Sequence, residues 1–304
     1  MNLPSDIKAS LRLNAKLSQY CTMQVGGEAR FFAEPANEQE LLDLIEYAKS
    51  ERLPYFILGK GSNVIFADEG FPGLVITLLR FKQNEIIFDE EERLVTASSG
   101  IHLYRFVTAC RNAGFSGAEF LANIPGTVGG ALVMNAGFSR HPGQRSEIGD
   151  IVHSVHVMNS EGRKETLVRK QVPFAYRSSG LENCIVLSGT FHVWKRSRDF
   201  IQSEIDANFK YRNVKQDLQH PSSGSVFKNP PAPHPPAAKL IENAGLKGMR
   251  IGQAMISPKH SNYMINLGKA KCRDMIQLME HVQKTVFEGT GILLEPEVRV
   301  VKTV

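Results

Sequence analysis

The stretch Gly117-Ala118-Glu119-Phe120-Leu121-Ala122-Asn123-Ile124-Pro125-Gly126-Thr127-Val128-Gly129-Gly130-Ala131 sets glycines and a proline on an apolar background. Glycine tolerates positive φ and lets backbone N–H groups approach an anion closely, so such a loop can wrap a diphosphate with main-chain donors. A second glycine turn, Gly59-Lys60-Gly61-Ser62-Asn63, follows the apolar run Tyr55-Phe56-Ile57-Leu58, which reads as a buried strand. Neither stretch is a G-x-G-x-x-G followed by a ribose-binding acid, and neither ends in the Gly-Lys-Ser/Thr of a P-loop. Each alone is a tight turn as readily as a ligand loop. Two of them beside predicted strands in the first half of one chain point to a dinucleotide.

The segments around these loops mix helix and strand. Asn37 with Glu40 forms a capping-box pattern ahead of Leu41, Leu42, Ile45 and Ala48, which predicts a helix at about 38–51. Val64-Ile65-Phe66 and Leu74-Val75-Ile76-Thr77 read as strands, and Ile86-Ile87-Phe88 with Leu94-Val95-Thr96 as a hairpin around the solvated acidic run 89–92. A helix from Leu103 to Ala113 puts Cys110 on its apolar face and ends at Gly114. Ile151–Met158 alternates as a strand; His153 and His156 on it are candidate metal ligands or simply solvent-facing residues. Strands are expected from Cys184 to Trp194, then a charged helix at about 198–212, a surface loop at Pro230–Pro236 and a helix at about 270–288 stopping at Gly289. The last run, Ile292–Val301, reads as an apolar strand broken up by charged residues.

A chain of 304 residues holds two domains or three small ones. The net charge of +5 fits an anionic small molecule as readily as nucleic acid. Lys and Arg are dispersed, however, and no RNP, helix-turn-helix or zinc signature occurs. Cys21, Cys110, Cys184 and Cys272 lie far apart, which argues against a metal cluster or disulfide framework and for a reducing compartment. With no basic stretch leading into an apolar run at the start and no 18-residue apolar stretch, the expectation is a cytoplasmic, soluble protein.

Three further sites carry chemistry-bearing residue types. Arg177, after Tyr176, offers a planar fork of donors for a carboxylate or phosphate; a surface salt bridge is the alternative. Ser222-Ser223-Gly224-Ser225-Val226-Phe227-Lys228-Asn229-Pro230 gathers hydroxyls, a cation and an amide beside glycine, as binding loops do. Glu297 would be half buried if its strand enters the core, or sits at an exposed edge.

Together with Met23-Gln24-Val25-Gly26-Gly27, Asn135-Ala136-Gly137, His260-Ser261-Asn262 and Glu295-Pro296-Glu297-Val298, these motifs resemble, over nearly the whole chain, the UDP-N-acetylenolpyruvoylglucosamine reductases (MurB), flavoenzymes of peptidoglycan precursor synthesis. The short span between Arg177 and Cys184 leaves no room for the tyrosine-bearing loop of one subgroup, so the resemblance is to the shorter, second subgroup. Asp217 after Gln216 departs from the family pattern, in which proline is common there. The resemblance implies an α+β protein: a two-subdomain FAD-binding fold of the vanillyl-alcohol-oxidase (PCMH) type, at 1–80 and 81–198, and a C-terminal α+β substrate domain at 199–304. It implies non-covalent FAD, NADPH as hydride donor and a UDP-sugar substrate, with no metal, nucleic acid, membrane or obligate protein partner. By position, Arg177, Ser225 and Glu297 match catalytic residues. Gly59, Gly61, Ser62, Asn63, Pro125, Gly126, Thr127, Gly129, Gly130, Asn135 and Ala136 match the cofactor site, and Tyr176, Lys228, Asn229, His260 and Asn262 the substrate site. The competing reading is an FAD-dependent oxidase or dehydrogenase of the same fold acting on another alcohol or sugar. Ser225 with Glu297, and the lack of an evident covalent-flavin histidine, speak against it.

Overall fold

The computed structural model describes residues 11–82, 85–141 and 144–302. They divide into two compact units: chiefly Ala33–Lys60 with Val75–Arg212 in the first, and Arg12–Phe32, Gly61–Leu74 and Asn213 onward in the second.

The first unit is built on a five-stranded antiparallel sheet in the order Lys164–Val168, Val152–Met158, Ile185–His192, Leu94–Ser98, Ile86–Asp89. Period-two alternation turns Val95, Ala97, Val155, Val157 and Phe191 into one core, while the Thr96 and Thr190 hydroxyls meet at 2.9 Å elsewhere on the same strand pair. Helix Leu103–Asn112 lays Leu103, Phe106, Val107 and Cys110 into that core and gives way to Gly114 at φ +73°. Helix Glu38–Ser50 starts as its sequence predicts: Asn37 Oδ1 accepts the Glu40 N–H at 3.0 Å, and Glu40 Oε2 accepts that of Ala36 at 2.8 Å.

Ile151, expected to open a strand, instead closes a helical turn, Ile148–Ile151. Asp150 Oδ2 takes the Glu147 N–H at 2.8 Å, and this local bond wins over alternation. His153 packs edge-on against His192 at 5.1 Å, while His156 Nδ1 lies 3.0 Å from Thr166 Oγ1. Among the described residues no group of three metal-ligating side chains occurs, and no helix is long and apolar enough to cross a membrane.

In the second unit, Ser222–Ser225, Tyr263–Asn266, Ala254–Ile256 and Arg250–Ile251 form an antiparallel sheet in that order. Helix Cys272–Thr290 covers its own core with Met275, Leu278, Met279, Val282 and Val286. The helix runs past Gly289 and ends at Gly291, the glycine that adopts the left-handed conformation, φ +70°, with its N–H on Phe287 O at 2.8 Å. The expected strand 292–301 is strand only over Arg299–Val301, which pairs in parallel with Val64–Phe66. Pro296 has no N–H to donate to a ladder, and the residues beside it bond the serine segment instead.

The first amides of the long helix, Cys272 and Arg273, donate to Asp68 Oδ1 and Oδ2 at 2.8 and 3.0 Å. A carboxylate there satisfies two orphan donors and faces the positive end of the helix dipole. Asp68→Ala is expected to lower unfolding stability by roughly 1–2 kcal/mol, read as a lower urea midpoint at unchanged m-value. A midpoint equal to that of the parent would show the cap to be dispensable.

Candidate active site

In the first unit the two glycine stretches meet. A Cβ on Gly59 would stand 2.8 Å from Thr127 Oγ1 and 3.9 Å from Gly130 Cα, so only glycine lets these loops approach so closely. Thr127 caps helix Val128–Val133, its Oγ1 accepting the Gly130 N–H at 3.3 Å. Val128 and Gly129 donate to Ile101 O and Ser99 O at 2.9 Å each. Three amides of the loop are thus engaged within the chain, and Pro125 and Gly130 face outward. Glycine at 59 and at exposed 130 leaves main chain without side-chain cover at this junction, which suits a ligand that needs close backbone approach, as a flavin dinucleotide does.

Past the end of this helix, Asn135 is buried at φ +43°, and Ala136 O accepts the Ile148 N–H at 2.8 Å. Tyr176 and Arg177 lie half-buried in a tight turn of the same unit, with the guanidinium 5.4 Å from the Tyr176 ring.

In the second unit, Gly61 at φ +64° packs against the Tyr20 carbonyl, where a Cβ would come within 2.2 Å. Ser62 and Asn63 come next, half-buried, and the Asn63 amide donates to Glu297 O at 2.9 Å while its carbonyl accepts the Arg299 N–H at 3.0 Å. Glu297 N–H in turn donates to Val226 O at 2.7 Å, and Lys228 N–H to Glu295 O at 2.8 Å. Two sequence-predicted catalytic residues are thereby brought together: half-buried Glu297 is bonded to Val226, the neighbour of half-buried Ser225. Ser225 itself ends the edge strand opposite Tyr263, after Gly224 at φ +74°. Arg177 belongs to the other unit.

The residues predicted to meet substrate have internal partners as well. Asn262, buried, clamps Phe227 on both sides, accepting its N–H at 3.0 Å and donating to its carbonyl at 2.8 Å. His260 Nδ1 accepts the Asn262 N–H at 3.3 Å, which leaves the proton of the neutral ring on Nε2. Burial pushes the His260 pKa down, and its ring packs on Tyr263 at 4.6 Å. Lys228 is ion-paired with Glu295, and Asn229 Oδ1 accepts the Ala237 N–H at 3.0 Å at the start of helix Ala237–Asn243.

Asp217 accepts from Ser257 Oγ at 3.0 Å and from the Gln219 N–H at 3.2 Å, beside His220. Burial alone would raise its carboxyl, but the hydrogen bonds from His220, Ser257 and Gln219 outweigh that and hold it below the usual carboxylate range. Burial pushes the Cys21, Cys110 and Cys272 thiols up to about 12.

Residues 29–167 match the family described as FAD binding domain, and residues 216–301 that described as UDP-N-acetylenolpyruvoylglucosamine reductase, C-terminal domain. The UDP-N-acetylenolpyruvoylglucosamine reductase of Caldicellulosiruptor saccharolyticus is 40% identical over 93% of this chain and 89% of its own length. That of Clostridium novyi is 36% identical over 97% of this chain and 93% of its own. The crystal structure of the MurB reductase from Thermus caldophilus superimposes with a TM-score of 0.78 at 31% identity, covering 95% of this chain and 97% of that one. A solvent-stable cholesterol oxidase, 18% identical, shares the fold over 64% of this chain and 40% of its own, with a TM-score of 0.50. The fold expected from the sequence, α+β with an FAD-binding part and a C-terminal domain, is the fold of this chain. By identity, coverage and fold alike, the chain belongs to the UDP-N-acetylenolpyruvoylglucosamine reductase family.

Proposed function

We propose that the protein is an FAD-dependent oxidoreductase that uses NADPH to reduce the enolpyruvyl ether of UDP-N-acetylglucosamine enolpyruvate to UDP-N-acetylmuramate, for peptidoglycan synthesis. The observation that carries this reading is the bonding of the serine segment to the Glu297 segment within a domain of this family. When bound, FAD would supply the redox chemistry, the relay of hydride equivalents from NADPH to the enolpyruvyl β-carbon. Gly59 and the loop 125–130, with backbone groups of Asn135 and Ala136, would hold it by close backbone approach, and Gly61, Ser62 and Asn63 are the candidate cofactor residues of the second unit.

The roles of the other residues rest on charge. Hydride arriving at the β-carbon leaves an electron pair on the α-carbon that spreads into the attached carboxylate. Arg177 supplies fixed positive donors to that developing dianion. Ser225 is a weak acid, but a carbanion-like carbon is a strong base, and the hydroxyl can deliver its proton there. Glu297, in its protonated form, donates a hydrogen bond to the same anion. Tyr176, Lys228, Asn229, His260 and Asn262 line or support the sugar-nucleotide site, Asn262 by holding Phe227 in place. We place the enzyme in the cytoplasm, acting without nucleic acid or an obligate protein partner, and take 1–80, 81–198 and 199–304 as its functional divisions.

The test is direct. The purified protein is expected to be yellow, to bleach on adding NADPH, and to recover its colour on adding the enolpyruvyl UDP-sugar under nitrogen. A colourless protein that refuses FAD, or a bleached one that this sugar does not reoxidise, would end the reading.

A further inference from the structure

The turn that carries Arg177 is closed by two backbone bonds, Ala175 N–H to Ser178 O at 2.9 Å and Ser178 N–H to Ala175 O at 3.1 Å. Arg177 sits inside it at φ +60°, a conformation that a non-glycine residue holds only where its surroundings fix it. Two side chains do so, one on each side. Asn135 Nδ2 donates to Ala175 O at 2.9 Å and to Glu147 Oε2 at 2.7 Å, and its Oδ1 accepts the Gly149 N–H at 3.0 Å. Ser179, fully buried, donates its hydroxyl to Val133 O at 2.8 Å and accepts the Leu181 N–H at 3.3 Å.

Residues 175 and 179, each two positions from the arginine, are therefore tied to the C-terminal end of helix Val128–Val133, whose other end is the Thr127 cap of the glycine loop. We propose that Asn135 and Ser179 are positioning residues that clip the Arg177 turn to this helix. One six-residue helix then fixes both the glycine loop and the arginine. The inference deepens the reading of Arg177 as an anion-stabilising group, since a donor helps a developing charge most when its orientation is set beforehand.

The variants separate the clip from the backbone. Asn135→Gly removes the side chain with its amide while leaving the left-handed conformation accessible; Ser179→Ala, the cleaner of the two, removes one hydroxyl from a small buried site. The first readout needs no turnover: trypsin added to the native full-length chain, with cleavage at the Arg177–Ser178 bond monitored by mass spectrometry. In either variant that bond is expected to be cut about fivefold faster than in the parent, because cleavage tracks local opening. The second readout is the split between half-reactions in the FAD-loaded enzyme. Ser179→Ala is expected to slow reoxidation by the enolpyruvyl sugar about tenfold while bleaching by NADPH keeps its rate.

Unchanged cleavage at Arg177–Ser178 in both variants would overturn the clip, as would cleavage raised evenly at many Lys and Arg bonds. Equal slowing of both half-reactions by Ser179→Ala would overturn its positioning role. A parent protein that never bleaches would overturn the functional reading alone, and the trypsin result would still decide whether the clip exists.

Discussion

Ser225→Ala is expected to bleach with NADPH at the parent rate and then to recover its colour about 10²–10⁴-fold more slowly when the enolpyruvyl sugar is added. The first half-reaction moves a hydride between two nucleotides and has no use for a hydroxyl; the second needs a proton on the α-carbon. The strand Ser222–Ser225 ends at this hydroxyl, and the backbone bond from Glu297 to Val226 fixes the next residue. Neither depends on the serine oxygen, so the alanine variant should keep the fold. A solvent deuterium effect on reoxidation that is present in the parent and absent from its residual rate in the variant would identify the transferred proton as the serine's. Equal loss in both halves would mean that Ser225 serves binding of FAD instead.

Arg177→Lys is expected to lower kcat by about 10²–10³-fold, equivalent to roughly 3–4 kcal/mol of transition-state stabilisation. Lysine keeps the charge and tolerates the same backbone conformation about as well as arginine, but it loses the planar fork of donors. The informative quantity is the split: an interaction made only in the transition state lowers kcat and kcat/KM together, whereas a ground-state contact to the substrate carboxylate raises KM alone. Stopped-flow reoxidation at several sugar concentrations separates the two. A change confined to KM would reduce Arg177 to a binding residue.

Local signals in the sequence are legible because the physics behind them is local. Asn37 and Glu40 announce the helix that begins at Glu38, since cap and capped amide lie three residues apart. The hairpin 86–98 comes from alternation around an acidic turn. Structure and expectation part where two local signals compete. Gly289 and Gly291 can each end a helix, and the chain stops at the one whose N–H reaches Phe287 O; Ile151 fits an apolar alternation, but Asp150 nucleates a turn first.

The candidate site is legible as residue types and illegible as bonds. The motifs with Gly59, Thr127, Arg177, Ser225 and Glu297 name themselves, yet nothing in the sequence says that Asn262 holds Phe227, that Glu295 pairs with Lys228, or that Asn135 and Ser179 flank Arg177. The bonded pairs behind these contacts, Phe227 with Asn262, Lys228 with Glu295, Asn135 with Ala175 and Val133 with Ser179, are 35 to 67 residues apart, and strand register and loop path decide them. Ser179 is the functional side chain that sequence reasoning misses outright, although it stands two residues past the arginine. A hydroxyl in a polar stretch gives no sign that it will be buried.

The pairing of Val64–Phe66 with Arg299–Val301, and of Asn63 with Glu297 across 234 residues, bears on how the molecule is made. During translation at roughly 5–20 residues per second, the early strand leaves the ribosome on the order of ten seconds to most of a minute before its partner exists. For most of that interval Met23, Val25 and Ile65 lack Leu278 and Val282, the core partners they have in the folded chain. This half of the molecule can complete its core and its parallel strand pair only once residue 301 has been made.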